Sequence, residues 1–511
     1  MQQHVTPFKV FLFLFALFGV LITISLVFPT GGIRLGEDFY LYFPGRKDVL
    51  KTVNPKYADI SHLLDAYESE NNSLTIHYPE IFSLPVTQEA DSYEPADKKE
   101  YVLTDEADTV VADAVRLREL VFPLQLPPDN DSAMDMFYEE LDAIKSENGT
   151  LRIIHYGDSQ IENNRITSAL RNRFQSAFGG SGIGMFPVVS PVPHNASVNV
   201  ILQGRWKRYT PLGGQGNTGH NRYGLLLSFS SLVNGNIDGV SGSFTLRPTG
   251  TGYRRLQQTN ELGIFFGYNN EPFTMELISG DEILDAELFF PADSLQYLKW
   301  KLPRSPGEYS VSFQGEGSPL IFSVSLDDAS GVSVDNVPLR GSSGLEFAGT
   351  DPEIMRKMME DLNVRLLLLQ FGVNVVPHVV DDYTYYENAL LRQLDFFRSL
   401  DPDIVIIVIG VSDMSRKITG GYYESFPNIE LIRDAQRNAA FRAGFAFWDM
   451  YEAMGGKNSM PAWVTADPPL AQADHIHFTF RGSALLGDLL YKSIISGYDN
   501  YGRKQDNAGG M

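Results

Sequence analysis

Two short apolar runs, Leu366–Leu369 and Ile404–Ile409, constrain the fold more than any other feature of the chain. A strand with one face in water alternates apolar and polar residues. An unbroken apolar run is instead the mark of a strand buried on both faces, as in the parallel sheet of an α/β unit. Helical patterns over residues 351–362, 385–400 and 429–443 alternate with these runs, which predicts βα repeats. An earlier run, Leu151–Tyr156, leads into Gly157-Asp158-Ser159. Helical periodicity on Ile166, Leu170, Phe174 and Ala177 follows, over residues 162–178. That reads as strand, tight turn, helix.

Between these stretches the texture changes. From about Pro191 to Val334, β-branched and aromatic runs recur over residues 223–229, 243–246, 262–268, 273–278, 298–302, 309–313 and 320–326, with turn residues between them. Spacing of roughly ten residues is the pattern of a β-sandwich. One α/β unit, residues 131–190 and 335–495, is therefore expected to be split by an inserted all-β unit, residues 191–334. A helical pattern over 132–148 (Met136, Leu141, Ile144) opens the α/β unit and stops at Glu147-Asn148-Gly149. Residues 29–130 read as a linker with short elements, acidic at 93–108 and Pro-rich at 122–130, and residues 496–511 as a tail.

Val10–Phe28 is 19 residues without a charge, long enough to span a bilayer as a helix. Lys9 and the terminal amine precede it, while Arg34, Glu37 and Asp38 follow. The expectation is a transmembrane anchor with residues 1–9 cytoplasmic and the remainder periplasmic. A cleaved signal peptide is the main alternative, although Phe28-Pro29-Thr30-Gly31-Gly32 is a poor cleavage site. A buried core helix is the other.

Composition closes several routes. With 41 Lys and Arg against 63 Asp and Glu, the formal charge is −22, and no long basic cluster offsets it, which argues against a nucleic-acid partner. The absence of cysteine removes disulfides, thiolate metal sites, iron–sulfur clusters and cysteine nucleophiles.

Ser159 then stands out. It follows a buried strand and precedes a helix, which places it at the carboxyl end of the sheet, where open α/β sheets bind ligands. A helix N-terminus there would offer N–H groups to an oxyanion. The plainer reading is that Asp158-Ser159 caps the helix. A serine nucleophile needs a base within hydrogen-bond reach. Asp474-His475-Ile476-His477 is the best offer, because an Asp three residues before a His on a turn sets a carboxylate behind the imidazole. A capping Asp with a surface His, or a His-x-His metal pair, are the competing readings, though no third metal ligand stands at recognisable spacing. Gly372-Val373-Asn374 follows a buried strand and brings an amide to the same sheet edge, and Gly341, where the α/β texture resumes, can present a backbone N–H. His155 lies on the strand before Ser159 and is expected in the packing.

This ordered set resembles the SGNH, or GDSL, hydrolase superfamily. Gly157-Asp158-Ser159 is similar to its first block, Gly341 to its second, Gly372-Val373-Asn374 to its third and Asp474-x-x-His477 to its fifth. The resemblance implies a three-layer α/β/α, flavodoxin-like fold and a serine ester hydrolase or acyltransferase without a cofactor or metal. In it, Ser159 is the nucleophile, His477 the base and Asp474 its orienter. The Ser159 and Gly341 N–H groups and the Asn374 side chain form the oxyanion hole. The chain departs from the pattern at Gln160 and Ile161, where a leucine-type continuation is usual, and at Val375, where many members carry Asp. The inserted β unit, Val411–Ser415 and Phe447–Gly456 further resemble periplasmic peptidoglycan O-acetylesterases, whose insert is similar to a carbohydrate-binding domain. On that resemblance Trp448, Met454, Trp463 and Asp413 are candidates to contact substrate, with core packing the alternative for Trp448. The expected reaction is removal of O-acetyl groups from an acetylated glycan, peptidoglycan or a surface polysaccharide. Two rival readings remain open: O-acetyl transfer with a multi-pass membrane acyltransferase as partner, and an inactive glycan-binding protein.

Overall fold

The structure, a computed structural model, describes residues 56–64, 120–147, 149–190, 197–212, 218–233, 239–250 and 252–509, with isolated positions before residue 42. The α/β part contributes α1 (Asp135–Glu147), β1 (Thr150–Gly157) and α2 (Arg165–Phe178). The inserted part runs from β2 (Gly184–Phe186), β3 (Val198–Gln203), β4 (Trp206–Tyr209), β5 (Phe229–Leu232) and β6 (Val240–Pro248) through β7 (Glu261–Asn269), β8 (Phe273–Ser279) and β9 (Glu282–Phe289) to β10 (Ala292–Lys301), β11 (Tyr309–Gly315) and β12 (Leu320–Asp327). The α/β part resumes with β13 (Gly331–Pro338), α3 (Pro352–Asp361), β14 (Val364–Gln370), α4 (Thr384–Leu400) and β15 (Val405–Ile409). It continues with β16 (Ser415–Lys417), β17 (Tyr423–Ser425), α5 (Ile429–Arg442) and β18 (Ala446–Trp448), and ends with α6 (Met450–Ala453), α7 (Ser459–Thr465) and α8 (Phe480–Gly509).

Strands β13, β1, β14, β15 and β18 lie side by side in that order, all parallel. Alternate side chains serve the two faces. Ile153, Leu366, Leu368, Val405 and Ile407 meet α1, α2 and α8 through Phe137, Leu141, Leu170, Phe174 and Leu486. Ile154, Leu367, Leu369, Ile406 and Val408 meet α3, α4 and α5 through Met355, Met358, Leu390, Leu394 and Ala439. Both faces are thus covered, which accounts for the unbroken apolar runs. The result is a three-layer α/β/α unit.

The register carries a consequence for function. Pro338 pairs with Gly157, Gly157 with Gln370, Gln370 with Ile409, and Ile409 with Trp448. All five strands therefore end on one row. The loops that leave this row begin with Leu339, Asp158, Phe371, Gly410 and Asp449.

The inserted part is all-β and antiparallel. One sheet has the order β9-β8-β11-β6-β3, the other β10-β7-β12-β5-β4, with β2 beside β12. Phe244, Phe273, Met275, Val311 and Phe313 of the first sheet pack against Leu262, Ile264, Phe266, Ile321 and Val324 of the second. That is the sandwich the turn spacing predicts. The Tyr223–Phe229 run is different: residues 224–227 form a turn, and β5 begins only at Phe229. Leu225, Leu226 and Leu227 are instead drawn into the α3–α4 side of the parallel sheet, and the Tyr156 hydroxyl donates to the Leu225 carbonyl at 2.8 Å. Tertiary burial overrides β propensity there.

The segment at 120–126, read from its prolines as linker, lies along the open edge of the parallel sheet. Gln125 exchanges backbone hydrogen bonds with Phe447 at 2.8 and 2.9 Å. Phe122, Leu124 and Leu126 pack on the first core. Covering an edge in this way blocks pairing with a foreign strand. The apolar stretch Val10–Phe28 lies largely outside the described residues. Its described positions include Phe13, Phe15, Leu17 and Val20, which are helical and exposed. Among the described residues no helix is long and apolar enough to cross a membrane.

A buried ion cluster joins the two units. Arg152 on β1 donates to Asp327 at the end of β12 (2.6 Å) and to Asp335 on β13 (2.7 Å). Asp335 also accepts the Met185 N–H of β2 at 2.7 Å, and Ser333 donates to Asp327 at 2.7 Å. Burial alone would lower the Arg152 pKa, but the two carboxylates outweigh it and raise it above its usual value. Breaking a buried pair strands the remaining charge. Arg152→Met is predicted to cost about 3–5 kcal/mol in chemical denaturation. A loss below about 1 kcal/mol would show that the cluster does not hold the seam.

Candidate active site

Ser159 leaves the strand-end row two residues after Gly157. The Asp158 carboxylate accepts the Gln160 N–H at 3.0 Å, and residues Ser159–Asn164 form a short 3-10 turn. As the first residue of that turn, Ser159 has no acceptor for its N–H within it. The regular helix starts later than the periodicity predicts. Glu162 is extended, Asn163 and Asn164 are left-handed, and α2 begins at Arg165. The N-terminus of α2 is therefore displaced from Ser159 along the chain, and Ser159 instead heads the 3-10 turn.

Among the described residues, His477 is the histidine whose ring meets Ser159. Nε2 lies 2.8 Å from the Ser159 Oγ, and Nδ1 lies 2.7 Å from the Asp474 Oδ2. An ionised carboxylate only accepts, so Nδ1 carries the proton and Nε2 is left to accept from the serine hydroxyl. The other Asp474 oxygen accepts the Ile476 and His477 N–H groups, each at 3.0 Å. Burial works to raise the Asp474 pKa, but these hydrogen bonds outweigh it and hold it below the usual carboxylate value. The loop closes on itself through Gln472, whose N–H reaches the His477 carbonyl at 2.8 Å. At the bend His475 takes a left-handed conformation (φ 60°) and stacks on Tyr423 of β17 with ring centroids 3.6 Å apart.

The two further sequence candidates stand on the loops that follow β13 and β14, the strands on either side of β1. Leu339–Ser342 is a β-turn closed by the Ser342 N–H on the Leu339 carbonyl (3.0 Å), with Gly341 at φ 78°. Positive φ at the third position is what a type II turn requires of glycine. Asn374 is exposed while Val373, Val375 and Val376 on either side are buried in a cluster with Tyr386, Val411 and Ile432. Val375, the departure from the common Asp, thus anchors the loop beneath the exposed amide. Gly372 (φ 127°) is required there, since a Cβ would lie 2.7 Å from the Val411 Cβ. One Asn374 amide hydrogen is given to the Ser342 carbonyl at 2.8 Å, and the amide carries a second.

The tentative substrate contacts are not at this site. Trp448, Met454 and Trp463 are fully buried in the first core. The Trp448 indole donates to the Phe122 carbonyl and the Ser493 hydroxyl, and that of Trp463 to the Met454 carbonyl. Asp413 is also buried and accepts the Met460 N–H at 2.7 Å, at the start of α7; burial pushes its pKa up to about 6. All four side chains are closed off from solvent inside the α/β part. His155 is buried between Thr167 and Gln370, and burial lowers its pKa to about 4.

Three features of the site escape a reading of the sequence. Gln160 hydrogen-bonds to the Ser412 hydroxyl and the Ile476 carbonyl, and its departure from the usual leucine was its one visible signal. Glu162 and Arg340 form a two-armed ion pair at 2.7 and 2.6 Å, tying the turn of Gly341 to the segment after Ser159. Gln436 on α5 donates to the Phe371 carbonyl and accepts the Val411 N–H, fastening the Asn374 loop to its neighbour. Among the described residues no group of acidic or histidine side chains could hold a metal ion.

Beneath the serine, Asp158 is buried with Oδ2 lacking a partner, and burial pushes its pKa up to about 7. An unfolded Asp titrates near 4, so the folded state binds the proton more tightly across that interval, and stability falls as pH rises through it. Asp158→Asn keeps the acceptor for Gln160 and cannot ionise. Its stability relative to the wild type is predicted to improve by about 2 kcal/mol between pH 5 and pH 8 in urea titrations. A gap that does not change with pH would contradict this.

No family model matches the chain, and no curated protein does. Solved structures do. A peptidoglycan O-acetylesterase matches over 74% of this chain and 99% of its own, with a TM-score of 0.59 and 19% identity. A family two carbohydrate esterase from Cellvibrio japonicus matches over 59% of this chain and 98% of its own, with a TM-score of 0.23 and 10% identity. A salicylyl-acyltransferase from a tetracycline biosynthetic pathway matches over 60% and 96%, with a TM-score of 0.26 and 13% identity. The fold assignment rests on the first. The chain shares the fold of that O-acetylesterase.

Proposed function

We propose that this chain is a serine esterase that removes O-acetyl groups from a glycan, held at the outer face of a membrane by Val10–Phe28. The observation that carries the reading is the continuous relay Ser159–His477–Asp474, with contacts of 2.8 and 2.7 Å, standing where the parallel strands end. Ser159 Oγ attacks the acetyl carbonyl while His477 Nε2 takes its proton, and Asp474 stabilises the imidazolium. The tetrahedral oxyanion is met by the Ser159 and Gly341 N–H groups and the free hydrogen of the Asn374 amide. Collapse breaks the bond to the sugar oxygen, which takes the proton from His477 and leaves as a hydroxyl. Water, activated by the same ring, then releases acetate from the acyl-serine. No step requires a metal or cofactor. The choice of an acetylated glycan, peptidoglycan or a surface polysaccharide, is supported by the name of the esterase that shares the fold along nearly its whole length.

The test supplies the full chain with an activated acetyl ester, with and without a muropeptide acceptor, and quantifies acetate against acetylated sugar. Acetate release is predicted. Ser159→Ala should reduce it by about 10⁴-fold or more, and Asn374→Ala should lower kcat by about 10²–10³-fold. Acetylated sugar formed at the expense of acetate would make the protein a transferase. Turnover that survives Ser159→Ala would remove the serine from the chemistry, and glycan binding without turnover would make it a binding protein.

A further inference from the structure

Ser159 and His477 meet across 318 residues of sequence, and their contact must be held by something other than the reacting pair. Most hydrogen bonds of the His477 loop are internal: Asp474 to Ile476 and His477, Gln472 to His477 and Phe478. On its far side the Ser415 N–H reaches the His475 carbonyl at 3.3 Å. On the serine's side the tie is Gln160. Its Nε2 donates to the Ile476 carbonyl at 2.7 Å and to the Ser412 hydroxyl at 2.9 Å. The side chain is only 1% exposed, and its own N–H is fixed on Asp158 at 3.0 Å. One amide nitrogen thus spends both hydrogens on two loops, one that follows β15 and one that joins α7 to α8, directly beside the nucleophile and one residue before the base.

We infer that Gln160 is the positioning residue that sets the Ser159–His477 contact, a role that rests on the esterase reading above. A leucine in its place fills similar volume but donates nothing, and a glutamate fills almost the same shape but offers a second acceptor to the Ile476 carbonyl. Filling space and donating hydrogen bonds are therefore separable. Ser412 takes only one of the two hydrogens, so its loss leaves the arm to the histidine loop intact.

The experiment measures kcat and KM for p-nitrophenyl acetate with the full chain and its Gln160→Leu, Gln160→Glu and Ser412→Ala variants, with thermal melting to establish folding. Gln160→Leu is also made in a His477→Ala background. Misplacing a reacting group by about 1 Å can cost about 10²-fold in rate. We expect Gln160→Leu and Gln160→Glu to lower kcat about 10- to 100-fold with KM changed less than about twofold, and Ser412→Ala to lower it by less. In the His477→Ala background Gln160→Leu should add no further loss, because residues that act as a unit are not additive. Wild-type kcat in both Gln160 variants would overturn the proposal. So would a wild-type rate in Gln160→Glu alone, which would reduce the role to shape, or an equal loss with and without His477. Should Gln160→Leu fail to fold, Gln160→Glu and Ser412→Ala decide the matter on the same kcat–KM split. If His477→Ala itself keeps full activity, it is the esterase reading that fails, a result distinct from every outcome for Gln160.

Discussion

The parallel register of the five-stranded sheet is the constraint on which the rest depends. Because Pro338, Gly157, Gln370, Ile409 and Trp448 stand in one row, segments distant in sequence leave the sheet at one level. Slipping β14 by one residue against β1 would also exchange its two apolar faces, since side chains alternate with period 2. Each face is matched to its own helices, so hydrophobic burial fixes the register, and the register delivers Gly341, Ser159 and Asn374 to a common edge. The geometry of the site is in this sense a by-product of packing, sharpened by polar ties such as Glu162 to Arg340 and Gln436 to Phe371.

The inserted sandwich is part of the same architecture. It leaves the α/β unit through β2 and returns through β12 and β13, and Arg152 sits at this junction with Asp327 and Asp335. Replacing such a cluster by apolar groups of equal volume need not destabilise a protein. What the ions add here is orientation: Arg152, Asp327, Asp335, Ser333 and the Met185 N–H satisfy one another in one arrangement of β1, β2, β12 and β13. Leu225 to Leu227 and Phe322 extend the contact by joining the core on the α3–α4 side of the sheet.

What was legible in the sequence follows the strength of the physical signal. The buried strands β14 and β15, the helices after them and most of the sandwich strands declare themselves through periodicity, because burial on one or two faces dictates the pattern. Glu282–Phe289 was not legible: it is a largely exposed edge strand, so burial imposes no alternation. The Leu225–Leu227 turn was misread because its apolar residues serve another unit's core. The start of α2 was misread because the kink at Glu162–Asn164 is set by an ion pair with Arg340, 178 residues away. At the site, Ser159, Asp474, His477, Gly341 and Asn374 were visible because each sits on a glycine- or turn-marked loop. Trp448, Met454 and Trp463 were singled out on a resemblance of their segments, yet they fill the core. Aromatic content alone does not separate packing from recognition.

The most direct test is to trap the acyl-serine through which the proposed reaction passes. The full chain is mixed with an activated acetyl ester, quenched in acid within the first turnovers, digested and mapped by mass spectrometry. The predicted result is a single acetyl group on the peptide containing Ser159, accumulating and decaying in step with acetate release. An acetyl group on another residue, or acetate released with no adduct at Ser159 at any time while a fluorophosphonate also fails to label that serine, would contradict it.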